Sequence, residues 1–357
     1  MKPEVLVVGA GPTGLTTAIE LARRGVRTAI IEQREGVSTL SRAVGITPAS
    51  LELLGASGAS ELLLREGIQI EHLRILFGGT QLLSTSFSLS TTRHHHPFIL
   101  ALSQERTERV LSRVLDSYGI SIRYNTRLQS LNDTHDGALA VCSDGTAKLY
   151  RYVVGADGIN STTRESIGLA FTGQDLDEQW SIADVNVNDW NHKHTMTLSL
   201  LDNGAMAAMI PLDADRIRVI ANTGAALDYI ANMASVTHVH REGHFNVSVR
   251  QIATYQRGNV LVAGDAAHCH SPVGGRGMNL GFADAACVAD CIANDKVSAY
   301  SAIRHPAGYR TINNSERARK LFSTRHRLGR FALQASLRIA GKSTLLQRRL
   351  IDQLLYA

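Results

Sequence analysis

Residues 4–32, EVLVVGAGPTGLTTAIELARRGVRTAIIE, constrain this chain more than any other stretch. Val5, Leu6, Val7 and Val8 form a short apolar run rich in β-branched residues, the composition of a strand buried on both faces of a parallel sheet. Gly9, Ala10, Gly11, Pro12, Thr13 and Gly14 follow at once. Leu15, Ala18, Ile19 and Ala22 then fall on one face of a helix, which Gly25 ends. A second apolar run, Thr28 to Ile31, stops on Glu32 and Gln33. In such a unit Gly9 allows a tight turn, Gly11 lets the backbone approach a pyrophosphate, and Gly14 lets helix and strand pack closely. The helix start at Pro12 and Thr13 offers free N–H groups and a positive dipole end to the anion. Glu32 stands where a carboxylate takes a ribose 2′-hydroxyl and would repel a 2′-phosphate. Strand, glycines, helix, strand and acid, in that order, predict an adenine-dinucleotide site.

The 357 residues can bury a large core, in one or two domains. No apolar run is long enough to span a membrane, and the first strand begins too early to leave room for a signal peptide. Cys142, Cys269, Cys287 and Cys291 lack framework spacing, so a reduced, cytoplasmic protein is expected. The net charge of +5 is unevenly spread. From Arg304 onward, twelve Lys and Arg face only Glu316 and Asp352, a net +10, which leaves −5 on the remainder. Nothing in this pattern points to nucleic acid.

Further along, a loop around Ser41 to Ile46 leads to a helix from Thr47 through Leu54. Residues 69–99 and 171–250 read as β structure, expected to pair into one sheet that caps the dinucleotide unit. Residues 226–250 resist assignment. The histidine groups 94–96 and His238, His240 and His244 lack the acid or cysteine partners of a metal site, so no metal is expected. Val260 to Ala263 read as a core strand ending at Gly264 and Asp265, and the chain from Pro306 reads as helical, basic and amphipathic. The expected organisation is a dinucleotide domain from 1–68, 100–170 and 251–305, a substrate domain from 69–99 and 171–250, and a C-terminal helical segment, 306–357.

Three further motifs turn dinucleotide into flavin. They are Gly155-Ala156-Asp157-Gly158 with Ser161 and Arg164; Gly264-Asp265-Ala266-Ala267-His268 with Pro272 and the run Gly274 to Gly281; and Arg42 in Ser-Arg-Ala-Val-Gly-Ile. Asp265 ends a core strand at the mouth of the sheet, the usual ligand position in open α/β folds. A ribityl hydroxyl would satisfy its carboxylate. Gly274, Gly275 and Gly277 let backbone N–H groups approach a flat ring, and the helix opening there aims its positive end at it. With the N-terminal glycines, these motifs resemble the class A FAD-dependent monooxygenases of the para-hydroxybenzoate hydroxylase fold. The fold expected is α/β: a Rossmann-like FAD-binding domain interleaved with a mostly antiparallel substrate sheet, plus C-terminal helices.

The resemblance implies roles. Asp265 would hold the ribityl chain. Gly264, Pro272, Gly275, Gly277, Met278 and Asn279 would line the flavin, with Pro272, Gly274 and Gly275 at its reacting edge. Arg42 and Gln104 would lie near the pyrophosphate and ribityl chain, and Asp157 and Gly158 at the groove shared with the nicotinamide. Arg164 would support that motif through a salt bridge, and His268 would fix its turn. The substrate would meet Val44, Leu198, Met209 and Pro211 within an apolar lining that includes Met196, Leu200 and Met206. The activity implied is NAD(P)H- and O2-dependent oxygenation, through a flavin hydroperoxide, of an aromatic or polycyclic small molecule. A non-oxygenating FAD reductase or dehydrogenase is the alternative on the same fold. NADPH or NADH would reach the flavin through a surface groove, with Arg42 a candidate switch for substrate-gated reduction. The basic C-terminal helices are candidates for peripheral membrane contact or self-association, with packing against the FAD domain or a second subunit the favoured outcome.

Overall fold

The computed structural model describes residues 4–38, 43–91 and 95–356. The strand Val5–Val8 is buried along its whole length, as its unbroken apolar run requires. It lies inside a six-stranded sheet, between Thr28–Ile31 on one side and Tyr152–Gly155 on the other, all three parallel. Val260–Val262 continues the parallel order beyond 152–155, and Ile122–Arg123 does so beyond 28–31. Helices Pro12–Arg23 and Gly277–Ala293 pack on each other against this sheet, with Gln104–Ser117 beside the first. Leu15, Ile19, Val110, Leu111, Val288 and Ala289 are the fully buried stripes that close the layer. Each of these Leu, Ile and Val side chains contributes about 1.5–3 kcal/mol by leaving water.

A seven-stranded sheet forms the second layer. Its order is Ser235–Phe245, Trp180–Asn188, Arg216–Ala221, Met206–Pro211, Thr195–Leu200, His72–Phe77 and Thr80–Ser86. The two β segments therefore join in one sheet, through the parallel pair of 195–200 with 72–77; the other contacts are antiparallel. The stretch that resisted assignment contains a helix, Ala226–Ala231, and the eleven-residue edge strand 235–245. That strand has two register shifts against its neighbour and shows polar side chains to solvent, which hides its periodicity. His238 and His240 stack edge to face on it, 4.5 Å apart. Among the described residues no group of three His, Cys, Asp or Glu could hold a metal, and all four cysteines are free.

Three helices end the chain: Tyr300–Phe322, with Pro306 inside it, Arg327–Lys342 and Thr344–Tyr356. The helix 327–342 packs on the seven-stranded sheet along Thr80–Ser86. The last helix packs on that helix, on the turn Phe87–Leu89 and on the helix Pro48–Gly55, and Arg276 donates to its Gln353 carbonyl at 2.7 Å. Leu333, Leu337, Ile351 and Leu355 share one cluster with Leu73, Phe77 and Leu83. Arg330 is buried with its guanidinium 4.2 Å over the Phe77 ring, donating to the carbonyls of Leu201 and Phe322. The sequence favours packing of this face on the FAD domain or on a second subunit; the helix 327–342 lies on the outer strand Thr80–Ser86 instead, and the last helix also reaches the dinucleotide layer. Among the described residues no helix is long and apolar enough to cross a membrane.

Candidate cofactor and substrate site

The helix 12–23 starts at Gly11 without a side-chain cap, and Pro12 in its first turn has no N–H to leave unpaired. The three glycines before it have different reasons. Gly9 has φ +99°, and a Cβ on it would strike the carbonyl of Ala156. A Cβ on Gly14 would strike the carbonyl of Gly9. Gly11 has φ −73°, and among the described residues no atom beyond its chain neighbours lies within 4 Å of where its Cβ would be. The fold demands the first two; nothing among the described residues demands the third. Open space facing uncapped helix N–H groups fits a pyrophosphate lying against residue 11.

Beside this turn is a cavity of about 220 Å³. It brings together Gly9, Gly11, Glu32, Gln33, Gln104, Asp157 and Gly158 from the predicted set, and adds Arg34, Glu108, Arg127 and Asn160. Glu32 accepts from the Ala10 N–H at 2.7 Å and from the Arg34 N–H at 2.9 Å. Arg34 lies between two carboxylates, its Nε 3.0 Å from Glu32 and its Nη1 3.4 Å from Glu108. Glu108 also accepts from Gln104 Nε2 at 2.9 Å and the Ser38 N–H at 3.0 Å. Burial alone would raise Glu32, but the donors Arg34 and Ala10 outweigh it and hold its pKa below the usual value. Burial wins at Glu108, which is pushed up despite Gln104 and Ser38. The reading of the sequence missed Arg34 and Glu108. The arginine two residues past a strand-ending acid was the available signal.

Asp157 turns its carboxylate away from the cavity. It accepts from the Ser161 hydroxyl at 2.5 Å and from the Thr163 N–H and hydroxyl at 2.9 and 3.0 Å. It thus caps the next turn and leaves the backbone of Gly158 on the cavity wall. Arg164 works differently from the expected salt bridge. It donates to the Ala266 carbonyl at 3.2 Å and lies 4.3 Å over the Phe171 ring, while its nearest carboxylate, Glu165, is exposed and 3.7 Å away.

The second motif is clamped to the first. The strand 260–262 runs into a tight turn, Gly264–Ala266, with φ +62° at Gly264. The Thr13 side chain wedges between Gly264 and Gly281, occupying the space of a Cβ on either. The Gly264 N–H donates to Asp284 at 3.1 Å. Fully buried Asp284 also meets His268 Nε2 at 2.5 Å and Arg304 Nε at 2.6 Å. His268 therefore holds the turn from inside the protein. Burial would raise Asp284, yet His268 and Arg304 keep it below its usual pKa. Asp265, the middle residue of this turn, is exposed.

From Pro272 the chain bends through Gly274 and Gly275, at φ +91° and +62°, and the Gly275 N–H closes on the Pro272 carbonyl at 3.0 Å. Asn279 uses its side chain to fix this loop. It accepts from the Thr47 N–H at 2.9 Å and donates to the carbonyls of Gly45 and Gly275 at 2.9 and 3.0 Å. Met278 packs into the core, leaving only its backbone for a ligand. Gly277 opens its helix, and among the described residues outside that helix the atom nearest to a Cβ there is His270 Nε2 at 3.9 Å, again an opening that these residues do not need.

On the substrate side the strand alternation corrects two residues. Leu198 pairs with Ala208, whereas Met209 pairs with Thr197 and Pro211 with Ile217. Met209 and Pro211 therefore point to the far face, where Met209 packs under the helix 226–231 with Ala226 and Ile230. Leu198 shares the near face with Met196, Leu200 and Met206. Val44 is buried, its carbonyl bonded to the Leu102 N–H at 2.8 Å. Arg42 lies outside the described residues. The near face also holds a pair that sequence reading missed, Arg218 and Asp184, joined by two 2.7 Å bonds; Arg218 further reaches the Ala43 carbonyl at 3.3 Å. Single charges inside Ile182-Ala-Asp-Val185 and Ile217-Arg-Val219 were the available signal.

Comparison with known proteins agrees with this geometry. Residues 2–226 and 221–315 match the FAD binding domain family. The 6-methylpretetramide 4-monooxygenase of Streptomyces rimosus is 31% identical over a 377-residue alignment covering 97% of this chain and 67% of that protein. The pentachlorophenol 4-monooxygenase of Sphingobium chlorophenolicum is 31% identical over 303 residues, 79% of this chain and 56% of that protein. The chain thus spans between about half and two thirds of the length of these relatives. The crystal structure of p-nitrophenol 4-monooxygenase PnpA from Pseudomonas putida DLL-E4 superposes with a TM-score of 0.88 at 23% identity, covering 99% of this chain and 98% of that one, and shares the fold. The cofactor of such a domain is FAD, and the chain belongs to the class A FAD-dependent monooxygenase family.

Proposed function

We propose that this protein hydroxylates an aromatic or polycyclic organic molecule, using O2 and NADPH or NADH. The observation that carries the reading is that Val273 and the near face of the seven-stranded sheet belong to one apolar cluster. Val273, between Pro272 and Gly274, packs in the same cluster as Met196, Leu198, Leu200 and Met206. The flavin-edge loop and an apolar, adaptable wall thus border one apolar region, the chemistry a flat apolar substrate would need.

Bound FAD would supply the electron transfer from the nicotinamide and the activation of O2. The chain's own residues do the rest. Gly11 and the helix start at Pro12, Thr13 and Gly14 receive the pyrophosphate. Glu32, with Gln33 and Arg34 beside it, takes the ribose of the adenosine. Asp265 holds the ribityl chain. The backbone of Pro272, Gly274, Gly275, Gly277, Met278 and Asn279 lines the ring. Gln104, Asp157 and Gly158 shape the rim. Leu198 and its neighbours exclude water, which protects the oxygenating step. Arg218 ties this wall to the segment after Arg42 through the Ala43 carbonyl.

In this reading residues 1–68, 100–170 and 251–305 form the FAD unit, 69–99 and 171–250 the substrate unit, and 306–357 the C-terminal segment. The location is cytoplasmic, and the basic C-terminal helices serve peripheral membrane contact or self-association. The test is O2 uptake measured beside NAD(P)H oxidation with a panel of phenols and polycyclic aromatics. Equal consumption with a hydroxylated product supports the reading. NAD(P)H oxidation that reduces the organic substrate without O2 uptake overturns it.

A further inference from the structure

The helix Arg327–Lys342 is apolar on two opposite sides. Its inner side, Leu333 and Leu337 with the buried Arg330, is spent on the seven-stranded sheet. Its outer side shows Leu328 at 73% exposure, Phe331 at 71% and Ile339 at 60%. These three fall within about a quarter of the helix circumference at 3.6 residues per turn. Leu345, at the start of the next helix, adds a fourth at 61%. An ordinary surface helix keeps its outer side polar, so a second apolar stripe marks a surface that meets something.

The charge around the stripe selects what it meets. From Arg317 to Ile351 the chain carries ten Lys and Arg and no Asp or Glu. Arg319 and Arg330 are buried; the other eight, among them Arg327, Arg338, Lys342, Arg348 and Arg349, are exposed. Among the described residues none of those five lies within 4 Å of a carboxylate, and only Arg348 acts on an acid, Asp352, from farther off. Two copies meeting through this face would bring like charges together. An anionic lipid surface supplies the opposite charge for the rim and an acyl boundary for the stripe. We infer that the outer side of helix 327–342 docks this protein on an anionic membrane surface, with Leu328, Phe331 and Ile339 entering the headgroup boundary and Arg327, Arg338 and Lys342 lying on phosphates. The inference rests on the reading of the C-terminal helices as a contact surface and is independent of the reaction assigned above. Such placement would suit an enzyme whose apolar substrate partitions into lipid.

Flotation of the full chain, loaded with FAD, tests it. Vesicles of phosphatidylcholine alone are compared with vesicles containing phosphatidylglycerol. The expected result is retention on the anionic vesicles only, at least tenfold weaker for Leu328→Ser/Phe331→Ser and for Arg338→Gln/Lys342→Gln. Each variant's unchanged flavin content and melting temperature would show that its fold is intact. Retention unaffected by both pairs of substitutions, or equal on neutral vesicles, overturns the proposal. So does a dimer in sedimentation velocity, without lipid, that Leu328→Ser/Phe331→Ser abolishes, which would make this face an interface between copies. None of these outcomes alters the product of turnover, so failure here leaves the hydroxylase reading intact.

Discussion

Arg218 and Asp184 face each other across adjacent strands of the seven-stranded sheet, Nε and Nη2 each 2.7 Å from a carboxylate oxygen. Both are buried, on the side of the sheet that carries Leu198. Removing Arg218 leaves the buried Asp184 carboxylate with only the half-buried Arg216, 3.5 Å away, and removing Asp184 leaves Arg218 buried without its carboxylate. Arg218→Leu is therefore expected to destabilise the protein by about 3–5 kcal/mol, and Asp184→Leu/Arg218→Leu to recover most of it. Denaturant melts of the three proteins check this. A single variant as stable as the parent would show that the pair is open to water.

The glycines of the first turn separate fold from ligand. Gly14→Ala should cost about 1–3 kcal/mol or more, because its Cβ has nowhere to go. Gly11→Ala should change stability by no more than about 1 kcal/mol, yet weaken FAD binding at least tenfold, because its Cβ would enter only ligand space. Thermal melts of the flavin-free protein beside FAD titrations give both numbers. Unchanged FAD affinity in Gly11→Ala would move the pyrophosphate elsewhere.

Asp265→Ala should purify with most of its flavin lost, since a ribityl hydroxyl would lose its acceptor. The parent should be yellow, with FAD released intact by denaturation. Absorbance ratios settle the matter, and full occupancy in the variant would remove Asp265 from the site.

His270 gives the fold an acid limit. Burial pushes its pKa down to about 4, against an ordinary 6.5, while its ring bonds the Ser271 carbonyl at 2.8 Å. The unfolded chain therefore takes up this proton first as pH falls. The stability that neutral His270 contributes is complete above pH 6.5 and drains away between 6.5 and about 4. His270→Gln should flatten the stability profile in that window. A profile equally steep in the variant assigns the proton to another group.

Substrate should gate reduction. One dinucleotide fold serves two dinucleotides here, so the nicotinamide must reach the flavin from outside. NAD(P)H oxidation is expected to be slow alone and at least tenfold faster with substrate, about 1.4 kcal/mol in the barrier. Arg42→Ala should slow reduction far more than reoxidation by O2. Stopped-flow traces resolve the halves, and equal reduction rates with and without substrate would end the gating account.

Much of this was readable in the sequence because backbone geometry was at stake. Gly9, Gly14, Gly264 and Gly281 are fixed by close approach of backbone or of Thr13, and such positions leave glycine as their trace. The parallel strands announced themselves through unbroken apolar runs such as Val5–Val8. What stayed hidden depended on register and tertiary partners. Met209 and Pro211 looked like pocket residues until the pairing of Thr197 with Met209 turned them to the far face. Glu108, Arg218 and Asp184 carry charge whose partners lie far along the chain, or across a sheet, where local pattern cannot pair them; for Arg34 the local pattern shows Glu32 but not Glu108. The strand 235–245 escaped because an exposed, bulged edge has no clean alternation.

The central claim, that one atom of O2 enters an aromatic substrate, is tested most directly by turnover under isotopically labelled O2. The compound that most accelerates NAD(P)H oxidation is incubated with the FAD-loaded enzyme, and its product is weighed by mass spectrometry. The account predicts a product carrying one labelled oxygen atom when the gas is labelled and none when the water is. A turned-over product that carries no oxygen from the gas would contradict it.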